Sequence, residues 1–117
     1  MNVYENIVIL NATLSDEEAE AAITKIKELI AGQGGEVLKV NIWGRKKLAY
    51  EINKQKKGLY VLLYYKIPPA SIKKIEGFYK VFDAVLKYII LKLSTKQVHD
   101  LEKFEAVSEP AEQKSEV

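Results

Sequence analysis

Period-two and helical hydrophobic patterns alternate along this 117-residue chain, and their order constrains the fold more than any single motif. Residues 4–11, YENIVILN, are a β-branched-rich run closed by Asn11, which predicts a strand. Ser15-Asp16-Glu17-Glu18 then has the form of a capping box, with Ser15 as N-cap, Glu18 at the third helical position and carboxylates at the positive end of the helix dipole. Ala19, Ala22, Ile23, Ile26, Leu29 and Ile30 recur at helical spacing until the glycines between 32 and 35 stop the helix. Residues 36–53 alternate again, and after the polar turn NKQKKG residues 59–67 (LYVLLYYKI) are apolar on both parities, the pattern of a central strand with both faces covered. Pro68-Pro69 ends that strand. Pro69 opens a second helix whose buried stripe runs through Ile72, Ile75 and Phe78 or Tyr79, with Gly77 weakening it, and Asp83 starts a turn into a last strand over 85–93.

The resulting order, β-α-β-β-α-β, leaves few topologies. Right-handed crossovers put both helices on one face of a four-stranded antiparallel sheet, with the first and third strands central, the second and fourth at the edges, and the second face open. One domain over 1–96 follows. Beyond Ser94 the apolar period is lost, Pro110 interrupts and charge dominates, so residues 97–117 are expected to be an acidic, mostly disordered tail.

GRKKLAY, residues 44–50, breaks the pattern of the second strand. Leu38, Val40, Ile42, Leu48, Tyr50 and Ile52 share one parity, yet Gly44 and Lys46 fall on it too, which predicts either a bulge or a strand overhanging the helices. The formal net charge of +2 hides an uneven distribution. Residues 97–117 carry two lysines against six acidic side chains, while 39–57 hold Lys39, Arg45, Lys46, Lys47, Lys54, Lys56 and Lys57 against Glu51 alone. A basic body concentrated in one hairpin points to an anionic partner bound there. Lysines on an edge strand also discourage edge-to-edge aggregation, but that need does not call for seven cations in one hairpin. Interleaved with Trp43 and Tyr50, they suit a surface that neutralises phosphates while the aromatics pack or stack.

Catalysis has little to draw on. The chain has no cysteine, which removes disulfides, a thiol nucleophile and thiolate metal ligands, and its one histidine, His99, lies in the expected tail. Asp16, Glu17 and Glu18 are accounted for by helix capping, and GQGG (32–35) follows a helix where a phosphate cradle would precede one. The longest apolar run, AVLKYIILKL, is broken by lysines and far short of the roughly 20 residues of a membrane span, and MNVYENIVIL has no basic leader, so a cytoplasmic protein is expected.

The topology is shared by the RNA-recognition motif, and Lys57-Gly58 with Tyr64 matches part of its third-strand signature. Leu59 and Val61 stand where its base-stacking rings belong, so backbone and shape contacts to RNA are expected in place of base stacking, with Tyr60, Tyr64 and Tyr65 as sheet and core residues. YENIVILN, WGRKKLAYEINKQKKGLYVLLYY and VFDAVLKYIILK, in that order and spacing, resemble the bacterial small-subunit ribosomal protein six family over nearly all of residues 1–96. The resemblance implies an α+β, ferredoxin-like β-α-β-β-α-β sandwich, no catalytic activity, no cofactor, metal or small-molecule substrate, and a place in the cytoplasmic ribosome. It implies binding of the central domain of 16S ribosomal RNA jointly with small-subunit ribosomal protein eighteen. It puts Arg45, Lys46 and Lys47 on the family's basic second strand and matches Asp83, Val85 and Lys87 to the turn into the fourth. The candidate RNA contacts are Arg45, Lys46, Lys47, Lys54, Lys56, Lys57 and Lys87; Trp43, Tyr50 and Tyr60 are candidate contacts to the protein partner. The competing expectation is a ferredoxin-like regulatory module that oligomerises through the open sheet face and binds a small ligand.

Overall fold

A computed structural model describes residues 1–100. Strands β1 (Asn2–Asn11), β2 (Glu36–Ile52), β3 (Gln55–Ile67) and β4 (Val85–Lys92) form one antiparallel sheet in the order β2-β3-β1-β4, with helices α1 (Asp16–Gly32) and α2 (Ile72–Val81) as the crossovers. This is the predicted topology, with β1 and β3 central.

Local chemistry sets the helix ends. The Ser15 hydroxyl accepts from the Glu18 amide (3.1 Å) while the Glu18 carboxylate accepts from the Ser15 amide (2.8 Å), closing the capping box. At the far end Gly35 N–H donates to Ile30 C=O and Gly34 N–H to Ala31 C=O, the paired bonds of a Schellman turn. Gly34 takes φ +83° there, a left-handed value that costs glycine least, so GQGG is a helix stop. Pro69 opens a single 3₁₀ turn (Pro69–Ser71), and regular helix begins only at Ile72.

Ala19, Ala22, Ile23, Ile26 and Ile30 of α1 and Ile75 and Tyr79 of α2 press onto the alternate residues Tyr4, Val8 and Leu10 of β1 and Leu59, Val61, Leu63, Tyr65 and Ile67 of β3. One polar side chain lies inside this core. Asn6 is fully buried; its Oδ1 accepts from the hydroxyls of Tyr65 (3.1 Å) and Tyr79, and its Nδ2 donates to Ile89 C=O (3.0 Å). These bonds tie β1, β3, α2 and β4 together with no buried side-chain polar atom left unpaired among the described residues.

Three expectations need correction. The hairpin turn is shorter than NKQKKG: only Asn53 (φ +49°) and Lys54 (φ +65°) form a two-residue turn closed by Ile52 opposite Gln55, and QKKG already belongs to β3. The bulge expected where Gly44 breaks the parity is present at Trp43, but the one parity assigned to the rest of β2 fails, because the pairing with β3 also slips at Leu38 and between Lys47 and Ile52. Finally, the chain beyond Ser94 is not structureless up to residue 100. Residues 95–100 are helical, Ser94 and Gln97 cap the turn reciprocally (3.2 and 2.8 Å), and Val98 packs with Leu38 and Tyr64 against Val3 and Leu93, covering one end of the second sheet face. The remainder of the expected tail, 101–117, lies outside the described residues.

Candidate nucleic-acid interface

The slips in β2 decide what its cations face. Ile42 pairs with Val61 and points at the helices; Trp43 is then the extra residue of a bulge and Gly44, at φ +98°, pairs with Tyr60. Regular alternation would send Arg45 to the open face. The bulge reverses this: Arg45 pairs with Leu59 on the helix side, while Trp43 and Lys46 take the open face.

Arg45 consequently closes the β1–α1 loop. Its Nε donates to Ala12 C=O (3.1 Å), Nη2 to Leu14 C=O, and Nη1 to Asp16 Oδ1 (3.2 Å), so the planar fork engages three acceptors at once. Its ion pair is peripheral, because the Asp16 side chain is 93% exposed. Of the candidate RNA contacts, Arg45 is the one held by three hydrogen bonds to its own chain.

The lysines are arranged differently. Lys46, Lys47, Lys54, Lys56 and Lys57 are exposed and make no ion pair among the described residues. Lys47 and Lys57 stand directly opposite each other across the β2–β3 ladder, a like-charge pairing that disfavours the hairpin unless an anion screens it. All five sit along one ribbon that projects from the sheet edge.

The open face also collects the aromatics. Trp43 and Tyr60 stack with centroids 6.5 Å apart and planes 14° apart, and the Lys46 ammonium is 5.4 Å from the Trp43 ring centre. Beyond Lys47 the chain leans over this face: Leu48 is buried against Gly58, and Tyr50 reaches across to β4, where Lys87 Nζ donates to its hydroxyl (2.9 Å). The ammonium sits at the hydroxyl edge of the ring, not over its face, and this hydrogen bond is the main cause that holds the Lys87 pKa above its ordinary value. Gly58 has a steric role, since a Cβ there would lie 2.3 Å from Ile9 Cγ2. The sheet thus brings together Lys46, Trp43, Tyr60, Tyr50 and Lys87, separates off Arg45, and adds Gly44 and Gly58 as backbone positions that sequence reasoning did not assign to the site. The interrupted parity at Gly44 was the signal that could have found the first of these.

Among the described residues no cluster of His, Asp or Glu could hold a metal ion, and no helix is long and apolar enough to cross a membrane. Fold and surface together define a ferredoxin-like α+β protein whose distinguishing feature is a cationic, aromatic-bearing hairpin. Comparison with known proteins narrows that class. The family model described as Ribosomal protein S6 matches residues 3–92. Small ribosomal subunit protein bS6 of Clostridium acetobutylicum is 37% identical over 93 residues, covering 80% of this chain and 98% of its own length. The bS6 of Moorella thermoacetica is 38% identical over 93 residues, covering 80% and 95%. The crystal structure of 30S ribosomal protein S6 from Thermotoga maritima superposes with a TM-score of 0.75 at 28% identity, covering 92% of this chain and 97% of that one. The chain belongs to the ribosomal protein S6 family, and so to the small subunit of the ribosome.

Proposed function

We propose that this protein binds the central domain of 16S ribosomal RNA together with small-subunit ribosomal protein eighteen, as a structural component that performs no catalytic step. The observation that carries this reading is the ribbon of five exposed lysines, Lys46, Lys47, Lys54, Lys56 and Lys57, without an ion pair among the described residues and with Lys47 and Lys57 opposite each other in mutual repulsion. Phosphates placed along the ribbon relieve that repulsion and release their counterions. Lys87 extends the positive surface across the sheet. Arg45 contributes by fixing the loop that faces the ribbon's base, with its exposed edge turned to the RNA.

Among the described residues no strand pairs with the outer edge of β2 from Glu36 to Gly44, which gives a protein partner a backbone edge to cover beside the cations. Binding to a central-domain fragment of 16S ribosomal RNA, with and without protein eighteen, tests the reading. If about five lysines meet phosphates, log K falls with log salt at a slope of about −4, and Lys46→Ala with Lys47→Ala flattens it by roughly two units. An unchanged slope in that variant would place the RNA elsewhere on the molecule.

A further inference from the structure

Tyr60, Leu62 and Tyr64 of β3 face the open side of the sheet, whereas Leu59 and Val61 are buried under the helices. Aromatic residues therefore do reach the solvent face, one position away from the stacking positions of the RNA-recognition motif. Tyr60 is half-buried, Trp43 keeps 39% of its surface exposed, and their planes differ by only 14° at a centroid distance of 6.5 Å, so the two rings stack as a shelf whose more exposed member is Trp43. The bulge at Trp43 and Gly44 builds this shelf, because Gly44 offers no side chain in the row that runs Gly44, Tyr60, Ile9, Lys87 across the four strands. Cations flank it on both sides, with Lys46 beside Trp43 and Lys87 at the far end of the Tyr60 row. A purely apolar partner would desolvate both ammonium groups, Lys46 against the Trp43 ring and Lys87 on the Tyr50 hydroxyl, without supplying an opposite charge. A nucleotide offers a π face to the rings and phosphate to the lysines.

We propose that the Trp43–Tyr60 shelf receives an unpaired base of the bound RNA, with Lys46 on the adjoining phosphate. This rests on the ribosomal-RNA reading and reassigns Trp43 and Tyr60 from the protein partner to the nucleic acid. The test uses the complex with the 16S central-domain fragment and protein eighteen, comparing wild type with Trp43→Leu and Trp43→Phe. Loss of base stacking in Trp43→Leu should weaken RNA binding by roughly tenfold. Its salt slope should stay unchanged, because no phosphate contact is removed, and Trp43→Phe should recover most of the affinity. Trp43 is the chain's one tryptophan, so a short single-stranded purine oligoribonucleotide added to the free protein should quench its emission while an abasic ribose-phosphate oligomer of equal length does not.

Wild-type affinity in Trp43→Leu would overturn the proposal while leaving the phosphate reading intact, as would equal quenching by both oligomers. A loss that appears equally in binding to protein eighteen without RNA would assign the shelf to the protein partner. Failure of the wild-type complex to bind RNA at all would remove the reading on which the shelf depends.

Discussion

The two faces of the sheet use the same residue types to opposite ends. On the helix side Tyr65 and Tyr79 are buried, share Asn6 as acceptor and have hydroxyl pKa values pushed far up, chiefly by desolvation. On the open side Trp43 and Tyr50 keep much of their surface exposed and are met by lysines. The buried set fixes four elements against one another, whereas the open set presents chemistry to whatever binds. Polar groups enclosed by protein act as structural ties because leaving one unpaired is costly; the same groups at the surface exchange partners with water at little cost.

Asn6→Leu is the sharpest way to break the contrast. It removes the acceptor for two buried hydroxyls and should lower stability by roughly 2–5 kcal/mol, measured by urea unfolding. The salt slope of RNA binding, read under conditions where the variant is folded, should not change. A loss below about 1 kcal/mol would show that the hydroxyls find other partners.

Alkaline pH separates the faces by titration. Tyrosines in the unfolded chain ionise near pH 10, while Tyr65 and Tyr79 in the folded protein remain protonated above that. Above pH 10 the unfolded state therefore binds fewer protons and stability falls, by up to about 2.7 kcal/mol per pH unit for the pair. Chemical denaturation across pH 9–11 measures this. Tyr79→Phe should reduce that slope by about half.

Gly58→Ala probes how tightly the open face is built near the hairpin. The new Cβ would fall 2.3 Å from Ile9 Cγ2 and 3.2 Å from Leu48 Cδ2, so strand or side chains must shift, at about 1–3 kcal/mol. A neutral substitution would mean that Leu48 lifts off the face without penalty. The smallest effect is expected at the turn, where Lys54 holds φ +65°. Lys54→Gly should stabilise the hairpin by roughly 0.5–1 kcal/mol while flattening the RNA salt slope by about one unit.

Much of the architecture is legible from short-range patterns. The capping box at Ser15, the glycine stop at 32–35, the Pro68-Pro69 break and the helical and strand periods each depend on residues within a turn or two, and together they gave the element order and the sheet topology. The Ser94 cap was legible in the same way, as Ser94 with Gln97 three residues on, but a short helix among charged residues carries too little apolar period to stand out. The cationic hairpin was visible in composition alone.

What the chain determined by itself is therefore the sequence of elements, their ends and the concentration of charge in one ribbon. Only the tertiary structure decided which way the ribbon's side chains face. An edge strand has one neighbour, and its register against β3 slips at Leu38 and Trp43 because the burial of Val37, Val40 and Ile42 under the helices outweighs regular alternation. Each slip inverts every residue that follows, turning Arg45 inward to three loop acceptors and Lys46 outward beside Trp43. Asn6 is the same lesson in the core: it reads as an isolated polar residue in an apolar strand until Tyr65, Tyr79 and Ile89, distant by 59, 73 and 83 positions, converge on it.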